Sequence, residues 1–456
     1  MESATLTSEI GQGGRGEPRV CVIGAGSSGI TACQSLAERG IDFTCFEKGS
    51  AIGGNWRYMN DNGMSSAYRS LHINTSREMM QYEAFPMPAT YPDYPGHAEI
   101  AAYFEDFVDH FGLREKIEFQ TEVVACEPTE EGWEVTVEGP KGRRTESFTD
   151  LMVCNGHHWN PRWPEPAFPG SESFTGEQIH AHDYKTPEIL DGKRVLILGI
   201  GNSATDIAVE SSRIAERTIL AMRRGAWIVP KYLFGVPTDR LTTFKPFTRV
   251  PLGIQSTMLK ALLRLSQGKV SDVGLPEPDH DPLHAHPTVS DDLLSRLGHG
   301  DIVVKPNIDH FDGGTVVFED GTSEEVDLVI YCTGYRITFP FFDSSVIDPS
   351  DNQIDLYKRV VSLDRPGLYF IGLVQPLGAI MPLAEAQSVW VADLIAGEGA
   401  LPDRATMARD SAREQSAMAR RYVASKRHTI QVDFESYLRE ISRERLRSRE
   451  RVFLPA

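Results

Sequence analysis

Short apolar runs rich in β-formers alternate along this chain with helix-periodic segments. Arg19–Ile23 reads RVCVI and predicts a buried strand. Ile30–Arg39 follows at helical spacing and stops at Gly40, and Asp42–Phe46 (DFTCF) predicts a second strand. The same order returns later. Lys193–Leu198 (KRVLIL) predicts a strand, Ser203–Glu216 a helix, and Thr218–Met222 (TILAM) another strand. Asp150–Val153 and Asp327–Tyr331 are two further strands, and each ends in a turn of small residues, Cys154-Asn155-Gly156 and Cys332-Thr333-Gly334. Strands alternating with helices predict an α/β fold. Residues 232–300, rich in Pro, His and Asp, break the pattern and read as an irregular excursion. Residues 401–450 carry Arg and Glu at helical spacing and read as surface helices with mutual ion pairs.

Glycine sits where each strand–helix pair turns. The first turn is GAGSSG, with Gly24, Gly26 and Gly29 in the three key positions. Gly24 permits a tight turn, Gly26 lets a pyrophosphate approach the backbone, and Gly29 lets the helix pack on the sheet. Free N–H groups at the helix start then face the phosphates. Glu47 follows about twenty residues on, placed to accept hydrogen bonds from a ribose diol. Such a site holds FAD or NAD. The Ile52-Gly53-Gly54-Asn55-Trp56 segment after the second strand favours FAD, because a Gly-Gly turn and an aromatic can close over the diphosphate.

The second turn is GIGNSA, with Gly199, Gly201 and Ala204 in the same positions. Arg223 and Arg224 stand where the first copy has Glu47. An acid there repels a 2′-phosphate, whereas a guanidinium pairs with it. The second site is therefore expected to take NADPH. Charge-assisted contacts contribute about 1.5–3 kcal/mol each, so one or two give a preference of about tenfold to several thousandfold. Two such sites imply hydride transfer from NADPH to FAD.

At 456 residues the chain exceeds what one core usually supports, so two domains are expected. The predicted architecture is two Rossmann-like dinucleotide-binding domains, with the NADPH domain inserted into the FAD domain. The first part of the FAD domain spans 18–165, the NADPH domain 175–325, and the second part of the FAD domain, with C-terminal helices, 326–456. The formal net charge of −18 argues against nucleic acid as a partner. No apolar run is long enough to span a membrane, and the polar, Gly-rich start has no signal-peptide core, so a cytoplasmic enzyme is expected. The six cysteines contain no C-x-x-C pair, which weakens a redox dithiol or a zinc site. His280, His284 and His286 lie in Pro-broken chain without a carboxylate or cysteine frame, so no metal is expected there.

Taken together, these segments resemble the flavin-containing monooxygenases, a family of class B flavoprotein monooxygenases. The family's FxGxxxHxxxY segment is matched by Phe174, Gly176, His180 and Tyr184, just before the second Gly-rich turn. The likeness continues through VCNGHHWNP (Val153–Pro161), GNSATDIAVE (Gly201–Glu210), CTGY with TFPF, and IGLVQPLGAIMP (Ile371–Pro382). It runs from Arg19 to about Asp433 and is weakest over 232–300.

The resemblance implies that FAD is held by Gly24, Ala25, Gly26, Ser27, Ser28, Gly29, Glu47, Lys48, Gly54, Asn55, Trp56, Asn74 and Thr75. It implies that NADP is held by Gly199, Gly201, Asn202, Ser203, Ala204, Thr205, Asp206, Arg223 and Arg224. Cofactor contacts are also expected at Thr333, Gly334 and Gln375. The implied chemistry reduces FAD with NADPH, forms a C4a-hydroperoxyflavin with O2, and passes oxygen to a soft nitrogen or sulfur nucleophile of a small molecule. Asn74 is the expected catalytic residue, an amide that donates without offering an acid. His180, Phe174 and Tyr184 read as structural, as do His157, His158 and His182. The C-terminal RERLRSRERVFLPA lacks the apolar tail of membrane-bound animal members, so no membrane partner is expected, while a homodimer is allowed. Tyr184 stands where Baeyer–Villiger relatives put Trp, which favours heteroatom over ketone oxygenation. The competing readings are a Baeyer–Villiger enzyme, an NADPH oxidase or reductase that transfers no oxygen, and a non-catalytic nucleotide-binding protein.

Overall fold

Strand Arg19–Ile23 lies inside a seven-stranded sheet of the computed structural model, which describes residues 16–243, 250–421 and 429–453. Asp42–Phe46 and Asp150–Val153 flank it in parallel, in registers that pair Ile23 with Phe46 and with Val153. From Val20 to Ile23 no residue is more than 5% exposed, as a strand covered on both faces requires. Ile117–Glu118 closes one edge. Leu368–Phe370, from far along the chain, pairs in parallel with Asp150–Val153 and carries two short antiparallel strands.

A second sheet of five parallel strands repeats the plan. Arg194–Leu198 is central, Arg217–Ala221 and Leu328–Tyr331 flank it, and Ile302–Lys305 and Glu177–His180 form the edges. The repeat extends further than the glycine turns. In each unit a three-stranded antiparallel sheet precedes the strand that returns to the centre, at Glu122–Phe148 in the first and Ile308–Glu325 in the second. Leu328–Tyr331 corrects one expected boundary. A domain break at 325/326 would give this strand to the first unit, yet it pairs within the second sheet. Its LVIY sequence suits double-sided burial in either sheet, so composition alone could not place it.

The excursion 232–300 is more ordered than its composition predicts. Helices form at Thr238–Thr243, Leu252–Gln267 and Leu293–His299. Leu252–Gln267 starts after Pro251 and ends at Gly268, whose φ is 76°. Its buried stripe is Ser256, Leu259 and Leu263, while Ile254, Met258 and Leu265 are exposed. Apolar residues on both faces hide the amphipathic period, which explains the irregular reading.

The C-terminal helices Arg404–Arg421 and Phe434–Phe453 also depart from expectation in their partners. Several of their charges reach inward rather than to each other. Arg445 and Arg449 donate to Asp393, a fully buried carboxylate on helix Met381–Ile395 that also receives Arg39. Lys358 gathers Glu414 and Glu440.

Candidate functional site

The first glycine turn is built as its spacing predicts. Gly24 has φ of 97°, a left-handed conformation that favours glycine. A Cβ on Gly29 would lie 1.8 Å from the Gly24 carbonyl oxygen, so helix Ser27–Ala37 reaches its packing distance only with glycine there. Gly54 (φ 52°) approaches Gly26 so closely that an added Cβ would stand 3.0 Å from the Gly26 Cα. The Gly53-Gly54 turn thus lies directly against the first glycine turn. Glu47 is 3% exposed. One of its oxygens accepts from Ala25 N at 2.7 Å, and the other accepts from Gly49 N at 2.7 Å and Asn62 Nδ2 at 3.1 Å.

A cavity of about 600 Å3 opens against this turn. Its wall holds Gly24, Gly26, Ser27, Ser28, Glu47, Lys48, Gly54, Asn55 and Trp56, then Asn74, Thr75 and Gln375. From the second turn only Asn202 reaches it. Ala25 and Gly29 are buried behind the wall and shape the turn. The open N-terminus of helix Ser27–Ala37, a backbone without side chains at Gly26 and Gly54, and the buried Glu47 together fit a dinucleotide diphosphate and ribose. His157, also on the wall, has its Nε2 withdrawn from solvent with no hydrogen-bond partner among the described residues. Burial, and after it the neighbouring His158, holds His157 well below the ordinary histidine value, so it stays neutral.

The second turn repeats the glycine geometry. Gly199 has φ of 139°, and a Cβ there would meet the Cys332 carbonyl oxygen at 2.8 Å. Gly201 caps helix Asn202–Ser211, and Ala204 and Thr205 are fully buried. None of Gly199, Gly201, Ser203, Ala204, Thr205 and Asp206 lines the cavity. Asp206 instead accepts the Tyr68 hydroxyl at 2.5 Å, which ties the helix to the first unit. Burial raises its carboxyl to about 6 against the opposing hydrogen bond from Tyr68. Arg223 and Arg224 stand exposed just past strand Arg217–Ala221, away from the cavity. Arg224 lies 3.6 Å from Asp279, while no ion pair engages Arg223 among the described residues. A solvated guanidinium beside a glycine turn and a helix N-terminus fits a 2′-phosphate. Thr333 and Gly334 do not line the cavity: the Thr333 hydroxyl donates to the Arg162 carbonyl, and Arg162 N donates to the Gly334 carbonyl.

The FxGxxxHxxxY segment packs within the protein at each of its four motif positions. Phe174 packs on Phe311 at 5.0 Å between ring centroids, and an added Cβ on Gly176 would strike the Phe174 ring. His180 is fully buried between Trp163 and Tyr335, and burial lowers it to about 4. Tyr184 donates to Glu210 at 2.6 Å. None of the four touches the cavity.

The excursion supplies what the sequence left unassigned. Leu259, Leu283 and Pro287, with Trp227 and Val229 from the chain leading into it, give the cavity an apolar wall, and Asp239 and His280, with Lys231 just before it, give it charge and polarity. Burial lowers Lys231 against the pull of Asp206 and Asp291. Thr288 Oγ1 donates to the Ile200 carbonyl at 2.5 Å, and Val289 N donates to Asn202 Oδ1 at 2.8 Å. The excursion is thereby stitched to the second glycine turn. Gly372 is another residue the sequence did not single out: a Cβ there would lie 2.0 Å from Ser28 Oγ. Its φ of 74° was not legible from a lone glycine in an apolar segment.

The flavin-binding monooxygenase-like family profile matches residues 17–449. Flavin-containing monooxygenase 5 of Oryctolagus cuniculus is 39% identical over 440 residues, covering 93% of this chain and 82% of the relative. This chain belongs to the flavin-containing monooxygenases. Among solved structures, S-allyl-L-cysteine S-oxygenase of Allium sativum superposes with a TM-score of 0.70 at 27% identity, covering 95% of this chain and 92% of the other. Cyclohexanone monooxygenase with ε-caprolactone bound shares the fold, with a TM-score of 0.70 at 18% identity over 94% of this chain and 98% of the other. The flavin-containing monooxygenase described here is thus an FAD- and NADPH-dependent enzyme that acts with O2 on a small molecule. No described helix is long and apolar enough to cross a membrane.

Within this family frame the division of labour is physical. FAD supplies electron transfer and oxygen activation when bound. The glycine turns and the helix N-termini at Ser27 and Asn202 have the open backbone that would receive phosphates. Residues of the excursion and of the 72–94 loop line the cavity, where shielding from water would protect reactive species from decay.

Proposed function

We propose that this enzyme oxygenates soft nitrogen or sulfur nucleophiles. FAD lies along Gly24–Ser28, Glu47 and Gly54–Trp56, and NADPH along the Gly199–Asp206 turn with its 2′-phosphate at Arg223 and Arg224. The first unit, 18–165 with 332–456, is the FAD unit. The NADPH unit is inserted between its parts and runs from 175 through Tyr331. The observation that carries the reading is the placement of Asn74. Asn74 lines the same cavity as the first glycine turn, and no hydrogen bond engages its amide among the described residues. A free carboxamide donates to a developing negative charge without supplying a proton that would hasten loss of hydrogen peroxide. The sulfur oxygenation named for the Allium sativum relative supports a heteroatom substrate.

The test is a product screen of amines, sulfides and ketones with purified holoenzyme, NADPH and labelled O2. N-oxides or S-oxides carrying one labelled oxygen are expected. Esters or lactones from ketones as the principal products would overturn the heteroatom assignment. Asn74→Ala should raise the hydrogen peroxide released per NADPH consumed, and an unchanged ratio would remove Asn74 from the reaction.

A further inference from the structure

The loop that carries Asn74 is held from two directions. Ile73 N donates to the Pro95 carbonyl at 3.0 Å, and Arg77 N donates to the Asp93 carbonyl at 2.7 Å. Both partners belong to the same unit as the loop. Ser76 N is different. It donates to Asp239 Oδ2 at 2.5 Å, a carboxylate 163 residues away on the excursion. The other oxygen of Asp239 accepts from Arg240 N at 2.9 Å, which fixes the rotamer of the side chain. Ser76 itself is fully buried. The Asn74-Thr75 backbone is therefore suspended between one anchor in its own unit and one in the excursion. Asn74, Thr75 and Asp239 all line the cavity.

We propose that Asp239 is a positioning residue: by accepting from Ser76 N it fixes the Asn74–Ser76 backbone and so holds the Asn74 amide on the cavity wall. The surrounding contacts keep the carboxylate in place. Tyr94 donates to the Lys231 carbonyl at 2.6 Å, and the Lys231 ammonium stands 4.9 Å over the Tyr94 ring. Tyr232 donates to Asp93 at 2.9 Å. Arg240 pairs with Glu78 at 3.0 Å and lies 3.8 Å from Asp93. Residues 231–243 thus strap the excursion across the 72–94 loop, and Asp239 is the strap's contact nearest Asn74 in sequence. A carboxylate is suited to this work. It accepts a charge-assisted bond from a buried N–H, and here each oxygen already has a donor.

The inference rests on the assignment of Asn74 given above, and its test separates the two. Hydrogen exchange of peptides spanning 72–82 is followed by mass spectrometry in the holoenzyme, beside the hydrogen peroxide released per NADPH. Asp239→Ala should speed exchange at Ser76 by about tenfold or more, as a lost anchor allows local opening. It should raise the peroxide ratio severalfold, with thermal stability recorded alongside. Asp239→Asn retains an acceptor and should restore both. Arg240→Ala removes the ion pairs to Glu78 and Asp93 but not the Ser76 bond, and should move both readouts well short of the change in Asp239→Ala. Unchanged exchange in Asp239→Ala, or equal loss in Asp239→Asn or Arg240→Ala, overturns the proposal. Faster exchange without a change in the peroxide ratio also overturns it if Asn74→Ala raises that ratio. If Asn74→Ala leaves the ratio unchanged, the assignment of Asn74 fails, and with it the positioning role.

Discussion

Glu47 and Arg223 terminate equivalent strands in two copies of one motif, and the contrast between them survives in three dimensions. Glu47 is buried with both oxygens engaged by N–H donors of its own unit. Arg223 is exposed with no ion pair among the described residues, while Arg224 has Asp279 nearby. Arg223→Ala should therefore erode the preference for NADPH over NADH more than Arg224→Ala does. Loss of one charge-assisted contact of about 1.5–3 kcal/mol corresponds to about ten- to a hundredfold in the ratio of kcat/KM values for the two nucleotides. Equal ratios in wild type and variant would remove the phosphate from Arg223. Both residues were legible because motif spacing alone locates the strand end. Asp239 was not, because its partner Ser76 is distant in sequence and no local pattern announces a bond between them.

His180 carries a second prediction at this scale. Its folded value, about 4, lies below the ordinary 6.5 because burial disfavours the charged ring, and His182 adds to the effect. As pH falls from 6.5 towards 4, the unfolded chain takes up a proton that the folded chain refuses. Stability contributed by the neutral ring is present in full above 6.5 and declines across that window. Denaturant unfolding between those limits should show stability falling with pH. His180→Gln should lessen the slope by about one proton, and an identical slope would mean that His180 titrates alike in both states.

Elements were legible in proportion to how locally their residues explain them. Arg19–Ile23, Asp42–Phe46 and Asp150–Val153 lie where their apolar runs predict. Helix Asn202–Ser211 ends before the expected Glu216. Helix Leu252–Gln267 was missed because its apolar residues point both inward and outward. The C-terminal helices were expected, but their anchor was not, since a single Asp in an apolar helix gives no signal of three arginines from elsewhere. Burial works to raise Asp393, and the hydrogen bonds from Arg445, Arg39 and Arg449 outweigh it, leaving the carboxyl below its usual range. Its contribution is thus present above the ordinary carboxylate value and is lost as pH falls through the depressed one. Asp393→Ala leaves guanidinium groups without their buried partner and should cost about 3–5 kcal/mol, measured by chemical denaturation at neutral pH. A loss below about 1 kcal/mol would class the cluster with ordinary surface pairs.

At the scale of the whole molecule, two parallel sheets and two glycine turns were readable from one repeated pattern, and the cavity between their units was not. A cavity wall is assembled from segments that share no motif. Leu259 comes from the excursion and Trp227 from the chain leading into it, Asn74 from a loop of the first unit, and Gln375 from the returning chain. The units also meet through bonds that no spacing encodes, such as Tyr68 to Asp206. Tyr68→Phe strips a raised, half-buried carboxyl of its donor and should cost about 1–3 kcal/mol. Denaturation of the variant near pH 8, where Asp206 is charged, measures that loss, and unchanged stability there would mean water replaces the hydroxyl.

The excursion enters the chain as one continuous insertion between strands Arg217–Ala221 and Ile302–Lys305, and yet it furnishes much of the cavity's apolar surface. The residues this insertion brings to the cavity are thus separate in the chain from both glycine turns. Selection can rewrite one stretch while leaving the other untouched. Chimaeras that exchange this insertion among relatives should inherit the donor's substrate range and the recipient's preference between NADPH and NADH.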